Sequence, residues 1–277
     1  MGWSAIQMRS NLSYRIRPFS PRAMRPLLLL LGCLAPVLVA QAQPGTPTDP
    51  GVLLDLTVAL QGAYDTGSSA HRTTLRDNAL VPATQPYGDA AYDDTPIAYD
   101  GAETNPSLPA TVVDWIVLEA RTSTAATDSV TATAALLLSD GSVVAASGSA
   151  LPTLSGLAAG SYFVVVRHRA HLAAISATAV DFSTGTGTLD LTAPGASLGA
   201  SGTVEVESGV RALWAADGSV DGLVTAPDFN VYSSASASGV TGYRIEDYTM
   251  DGLVTAPDFN LYNANAAAGA ATAVPEN

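Results

Sequence analysis

The stretch Asp221-Gly-Leu-Val-Thr-Ala-Pro-Asp-Phe-Asn-Val-Tyr232 returns thirty residues later as Asp251-Gly-Leu-Val-Thr-Ala-Pro-Asp-Phe-Asn-Leu-Tyr262, with a single Val-to-Leu change. Such near-identity is an internal repeat, and it marks one supersecondary unit used twice. Extending each copy four residues upstream brings out its chemistry. Asp217, Ser219, Asp221, Gly222, Leu223 and Asp228 stand at positions 1, 3, 5, 6, 7 and 12 of a loop. Asp247, Thr249, Asp251, Gly252, Leu253 and Asp258 stand at the same positions of a second. Ca²⁺ takes six to eight hard oxygens, and alternate residues of a tightly turning loop can aim them at one centre. The expected metal ligands are the side chains at positions 1, 3, 5 and 12 and the carbonyls of Leu223 and Leu253, with one Ca²⁺ per loop and two ions in all. The glycines permit the sharp turn at position 6. Val224 and Val254 are expected to point inward and to bridge the paired loops through a short strand contact. The alternative is that the Asp-Gly pairs mark turns in a solvated acidic segment; two copies in register favour calcium.

Helix signals follow each loop at once. Thr225-Ala-Pro-Asp228 and Thr255-Ala-Pro-Asp258 place an N-cap hydroxyl three residues before an acid, with Pro in the first turn. Phe229 with Tyr232, and Phe259 with Tyr262, then share a helix face at i and i+3. A loop followed by a helix, used twice, resembles the type I dockerin duplication over residues 211 to about 265. Ser219 and Thr249 depart from the Asn or Asp that dockerins usually carry at position 3, while Asp at position 12 agrees with them. Neutral hydroxyls at position 3 imply weak sites, roughly 10⁻⁵–10⁻³ M as in extracellular modules. The resemblance also implies a cohesin-like partner, read through positions 10 and 11, here Ala226-Pro227 and Ala256-Pro257. Their identity would permit two-way symmetric docking.

Charge is lopsided along the chain. It holds 12 Arg and no Lys against 25 Asp and Glu. Five of the arginines precede Asp49, the first acid. The remainder is strongly acidic and argues against a nucleic-acid partner. Residues 1–42 read as a signal segment: an Arg-bearing start, an apolar run over 26–40 too short to anchor comfortably, and small residues at Ala40-Gln41-Ala42. The unusually long stretch before the apolar run points to Met24 as an alternative start to Met1. The one cysteine, Cys33, lies in that run, so a secreted mature chain would have no disulfide and no membrane span.

Residues 43–50 read as a Pro-rich linker and 51–208 as a β-sandwich. Residues 209–268 read as the dockerin-like module and 269–277 as a C-terminal tail. The fold class expected is therefore mainly β, a sandwich followed by a small α-helical paired-loop domain. Alternation over 53–61 predicts a half-buried strand, and the apolar run 111–119 a central one. Asp140-Gly141 predicts a hairpin within 135–144, 160–169 reads as a further strand, and 172–192 as two more. Val113-Asp-Trp-Ile-Val-Leu-Glu-Ala-Arg121 and Gly160-Ser-Tyr-Phe-Val-Val-Val-Arg-His-Arg-Ala-His-Leu172 resemble a module of large secreted bacterial surface proteins. That resemblance implies architecture and a cell-surface or extracellular location, with no reaction attached.

Three further stretches carry candidate chemistry. A long loop over about 77–110 interleaves Tyr87, Tyr92 and Tyr99 with Asp89, Asp93, Asp94, Asp100 and Glu103. It reads as a solvated acidic loop, or else as a third ion site or a glycan-binding lip with Tyr platforms. Arg167-His168-Arg169-Ala-His171 reads as charges on an edge strand, with Arg167, Arg169 and His171 on one face and His168 on the other. Gly195-Ala-Ser-Leu-Gly199 matches a hydrolase pattern without the strand–turn–helix context that pattern needs. With three histidines and no acid–base pair to assign, a non-catalytic protein is expected. It would be a docking adaptor in an extracellular or polysaccharide-degrading assembly. The alternative is a calcium-stabilised surface or matrix protein whose sandwich binds glycan or other surface proteins.

Overall fold

The computed structural model describes residues 49–88 and 99–276 of the 277-residue chain. The described residues all belong to one compact unit. The expected signal segment over 1–42 and residues 43–48 of the linker lie outside the described residues.

In chain order the strands are β1 (Val52–Thr57), β2 (Tyr64–Asp65), β3 (Ala70–His71), β4 (Val112–Arg121), β5 (Ser129–Leu138), β6 (Val143–Ala145) and β7 (Thr153–Leu154). They continue as β8 (Ser161–His168), β9 (His171–Ile175), β10 (Val180–Asp181), β11 (Thr186–Asp190), β12 (Val204–Glu207) and β13 (Val210–Ala212). One helical turn, α1 (Thr74–Asp77), precedes β4, and α2 (Ala226–Ala237) and α3 (Ala256–Ala268) follow β13. The protein is mainly β with a few helices.

In the six-stranded sheet β4 lies between β5 and β8, β6 pairs with β5, and β9 and β10 pair with β8. A three-stranded sheet holds β1 between β11, which runs parallel to it, and β7, antiparallel. One apolar core joins the two. Val52, Leu54 and Leu56 of β1 share it with Trp115, Ile116 and Leu118 of β4 and Leu136 of β5. The alternation seen in the sequence is the burial pattern of β1, and the apolar run is β4, buried along its whole length. The hairpin at Asp140-Gly141 forms as its dipeptide predicts: Leu138 N–H donates to the Ser142 carbonyl, and Gly141 sits at φ 87°. The segment 172–192 carries β10, β11 and most of β9, one strand more than expected.

Several expectations need correction. The boundary at 208/209 is no break in packing, because it falls in the turn of the β12–β13 hairpin, between Glu207 and Val210. Met250 of the second repeat is 2% exposed and belongs to the main β core. Tyr87 and Tyr99 are not surface platforms. Both are buried; the Tyr87 hydroxyl donates to the Trp115 carbonyl at 2.7 Å, and that of Tyr99 to Glu103. Tyr92, Asp89, Asp93 and Asp94 lie outside the described residues.

The Arg-His cluster does not sit on an edge. Arg167, His168, Arg169 and His171 are all buried where β8 turns into β9. A register shift between Val166 and His168 breaks strict alternation, so His168 and Arg169 both reach Asp114 Oδ2, each at 3.1 Å. Gly62 N–H donates to His171 Nε2 at 3.1 Å, leaving His171 Nδ1–H to donate to His168 Nδ1 at 2.8 Å. His168 Nε2–H then donates to Asp114, whose other oxygen accepts the Tyr243 hydroxyl at 2.6 Å. Burial holds both histidines below the ordinary imidazole range, and both are neutral in this chain of bonds. Arg169 and Asp114 form the buried ion pair at its centre.

Candidate metal centre

The two loops repeat in sequence and share five equivalent hydrogen bonds. Ser219 N–H and Oγ–H both donate to Asp228 Oδ1 at 2.8 Å, and Thr249 N–H and Oγ1–H both donate to Asp258 Oδ1 at 2.8 Å. Asp221 N–H reaches Asp217 Oδ1 at 3.1 Å, and Asp251 N–H reaches Asp247 Oδ1 at 3.0 Å. Leu223 N–H and Leu253 N–H meet the Oδ1 of Asp221 and Asp251 at 3.0 and 2.8 Å. The position-12 acid also closes the helix start: Thr225 N–H donates to Asp228 Oδ2 at 2.7 Å, and Thr255 N–H to Asp258 Oδ2 at 2.8 Å. This is the acid half of the capping box the sequence predicts.

Backbone conformation repeats as well. Gly222 and Gly252 lie at φ 79° and 88°, as position 6 requires. Val220 and Met250 at position 4 are also left-handed, at φ 55° and 58°, which for a β-branched residue is a strained conformation. Nothing in the sequence pattern signalled this.

In the first loop Asp217, Asp221 and Asp228 place one oxygen each within 4.8 Å of one another. Asp217 and Asp228 are buried and Asp221 is exposed. Burial, followed by the charges of Asp228 and Asp221, pushes the Asp217 carboxyl up to about 7. Carboxylates brought together out of water repel one another and raise their own pKa values unless a cation joins them. Among the described residues no ion pair reaches these three. The donor set is all oxygen, mixed carboxylate, hydroxyl and carbonyl, and suits a hard cation.

The second loop is drawn differently. Asp247 is fully buried and accepts Gly252 N–H at Oδ2, 2.7 Å away. Burial pushes its carboxyl up to about 6, while the Gly252 N–H and the Arg169 charge pull the other way. Its three acids do not form the compact oxygen cluster seen in the first loop.

Val224 and Val254 are buried as expected, but the loops do not bridge to each other. Leu223 pairs with Ala271, after α3, and Leu253 with Thr241, after α2. Shifting one pair by the repeat length gives the other, so the loop–helix units are exchanged by an internal pseudo-twofold. The aromatic rings obey it too. Phe229 and Phe259 meet at 6.0 Å, flanked by Phe229–Tyr262 at 5.8 Å and Phe259–Tyr232 at 6.0 Å. Two positions break the symmetry. Tyr248 fills the space left by Gly218, its equivalent in the first loop, where a Cβ would lie 2.3 Å from the Tyr248 hydroxyl. Asn265 stands where the first repeat has Ala235 and bonds Gln61 Oε1 and the Ala215 carbonyl at 2.7 and 2.9 Å. Ala226, Pro227, Ala256 and Pro257 are all exposed. No family model, curated protein or solved structure matches this chain.

Proposed function

We propose that this is a secreted, non-catalytic, calcium-stabilised protein. In this reading a β-sandwich carries a dockerin-like pair of loop–helix repeats, each loop holding one Ca²⁺. The observation that carries the reading is the recurrence of five equivalent hydrogen bonds in the two acidic loops, together with the unneutralised oxygen cluster of Asp217, Asp221 and Asp228. A cation would offset the cost of burying these acids, so its binding free energy becomes folding free energy. Packing of Met250 of the second repeat into the β core supports a structural role for the ions; in this reading the protein acts at a cell surface or in a matrix. No helix among the described residues is long and apolar enough to cross a membrane.

A docking role is the second reading, and one observation favours it. The matching pairs Ala226-Pro227 and Ala256-Pro257 are exposed at equivalent helix starts, where a cohesin-like partner would read them. The β-sandwich would then bring glycan or other surface proteins into an extracellular assembly. Isothermal titration of the chain with Ca²⁺ tests the common ground of both. Two sites at roughly 10⁻⁵–10⁻³ M are expected, and the paired substitution Asp221→Ala, Asp251→Ala should abolish them. A flat titration overturns the reading.

A further inference from the structure

Residues 270–276 tie the first loop to the β-domain. Val224 N–H donates to the Ala270 carbonyl at 3.0 Å, and Thr272 N–H to the Gly222 carbonyl at 2.8 Å. Between these bonds Leu223 faces Ala271. In an antiparallel pair of this kind the residue between the two bonds turns its own N–H and C=O to the opposite side. Leu223 N–H accordingly meets Asp221 Oδ1 inside the loop, and its carbonyl, the position-7 ligand, faces away from segment 270–276. That segment therefore sets the aim of a metal ligand.

Beyond Thr272 the same segment is fastened to the six-stranded sheet. Thr272 Oγ1–H donates to the Ala173 carbonyl at 2.7 Å. Val274 is 4% exposed and packs with Val165, Ala173 and Ile175. Arg121 Nη1–H donates to the Pro275 carbonyl at 2.9 Å, and Arg167 Nη2–H to Glu276 Oε1 at 2.7 Å. Behind them Glu119 and Arg121 form a fully buried pair. A cavity of about 100 Å³ lies beside this junction, lined by Arg167, His171, Asp217, Asp221, Thr272 and Glu276 among others.

We propose that residues 270–276 are a calcium-dependent latch: the ion in the first loop holds the segment closed on β8 and β9, and its loss releases it. The latch rests on the calcium reading above. Without a cation the acids of the first loop repel one another, and the Gly222–Val224 edge that the segment pairs with loosens. Ion and latch are linked equilibria, so each changes the other's free energy by the same amount.

Hydrogen exchange on the full chain tests the latch, with and without Ca²⁺. Calcium is expected to slow exchange at the Thr272 amide by tenfold or more. Asp221→Asn should remove that protection, whereas Asp251→Asn should keep it. Reciprocally, in an Asp251→Asn background, Glu276→Gln and Val274→Asp should each weaken binding at the first loop by about fivefold or more. Glu276→Gln preserves shape and remains informative if Val274→Asp fails to fold. Two ions bound with equal Thr272 protection in Ca²⁺ and EDTA would overturn the latch and leave the calcium reading standing. Unchanged affinity in both variants would do the same. No ion bound at either loop removes both.

Discussion

At the scale of single residues, the loops combine elements that are unfavourable alone. Among the described residues no arginine pairs with buried Asp217 or Asp228, and Val220 takes a left-handed backbone that β-branched residues avoid. Asn adopts that conformation far more readily, because its short polar side chain bonds locally. Val220→Asn is expected to stabilise the chain by about 1 kcal/mol, read as a raised midpoint in urea at unchanged slope. A lowered midpoint would mean the Val220 side chain contributes more by packing than the strain costs. Sequence reasoning found position 6 of each loop because glycine is visible there. Position 4 stayed hidden because Val220 and Met250 carry no conformational signature.

At the scale of elements, the repeat is a pair of nearly equal halves attached unequally. The pseudo-twofold is maintained by the loop-to-linker pairs and by Phe229 and Phe259, aromatic contacts worth about 0.5–1.5 kcal/mol each. Attachment to the β-domain depends on what differs between the copies. Asn265 of α3 donates both to Gln61 and to the Ala215 carbonyl, and Gln61 Oε1 also accepts Ala215 N–H at 3.0 Å. Asn265→Ala leaves these buried groups short of a partner, at a cost of about 1–3 kcal/mol. Thermal or urea unfolding checks this. Ala235→Asn in α2 supplies the contrasting case: Ala235 packs beside Tyr232, so a polar group there destabilises without gaining a bond. A silent Asn265→Ala would mean the amide pair is incidental to the docking of α3.

At the scale of the whole molecule, the β-domain and the repeats share cores and hydrogen bonds, and they should unfold together. Arg72 illustrates the sharing, with Nη2–H donating to the carbonyl of Thr249 in the second loop at 3.0 Å. All three histidines are buried with ring nitrogens committed, and none is free to take a proton without cost. His71 accepts Leu60 N–H at Nε2, and burial lowers it to about 4 from 6.5. A histidine depressed in the folded state contributes stability that is fully present above its unfolded pKa and is lost as pH falls. With calcium in excess, one calorimetric transition is expected, its midpoint falling as pH drops from about 6.5 toward 4. The His71 share alone is on the order of 3 kcal/mol. A midpoint flat over that window would show that the imidazoles remain as protonatable in the fold as outside it.

The sequence by itself determined what depends on short spacing. It contained the loop–helix repeat and its acids, the hairpin at Asp140-Gly141, the alternation of β1 and the buried run of β4. Each follows from backbone geometry within about a dozen residues, where side-chain type and local conformation are tightly coupled. Only the tertiary structure decided how these pieces meet. It placed Met250 in the β core and drew His168 and Arg169 together on Asp114. It paired each loop with the segment after the other repeat's helix and laid residues 270–276 across β8 and β9. Those arrangements join residues far apart in the chain, where complementarity of shape and hydrogen bonding selects partners and periodicity carries no record of the choice.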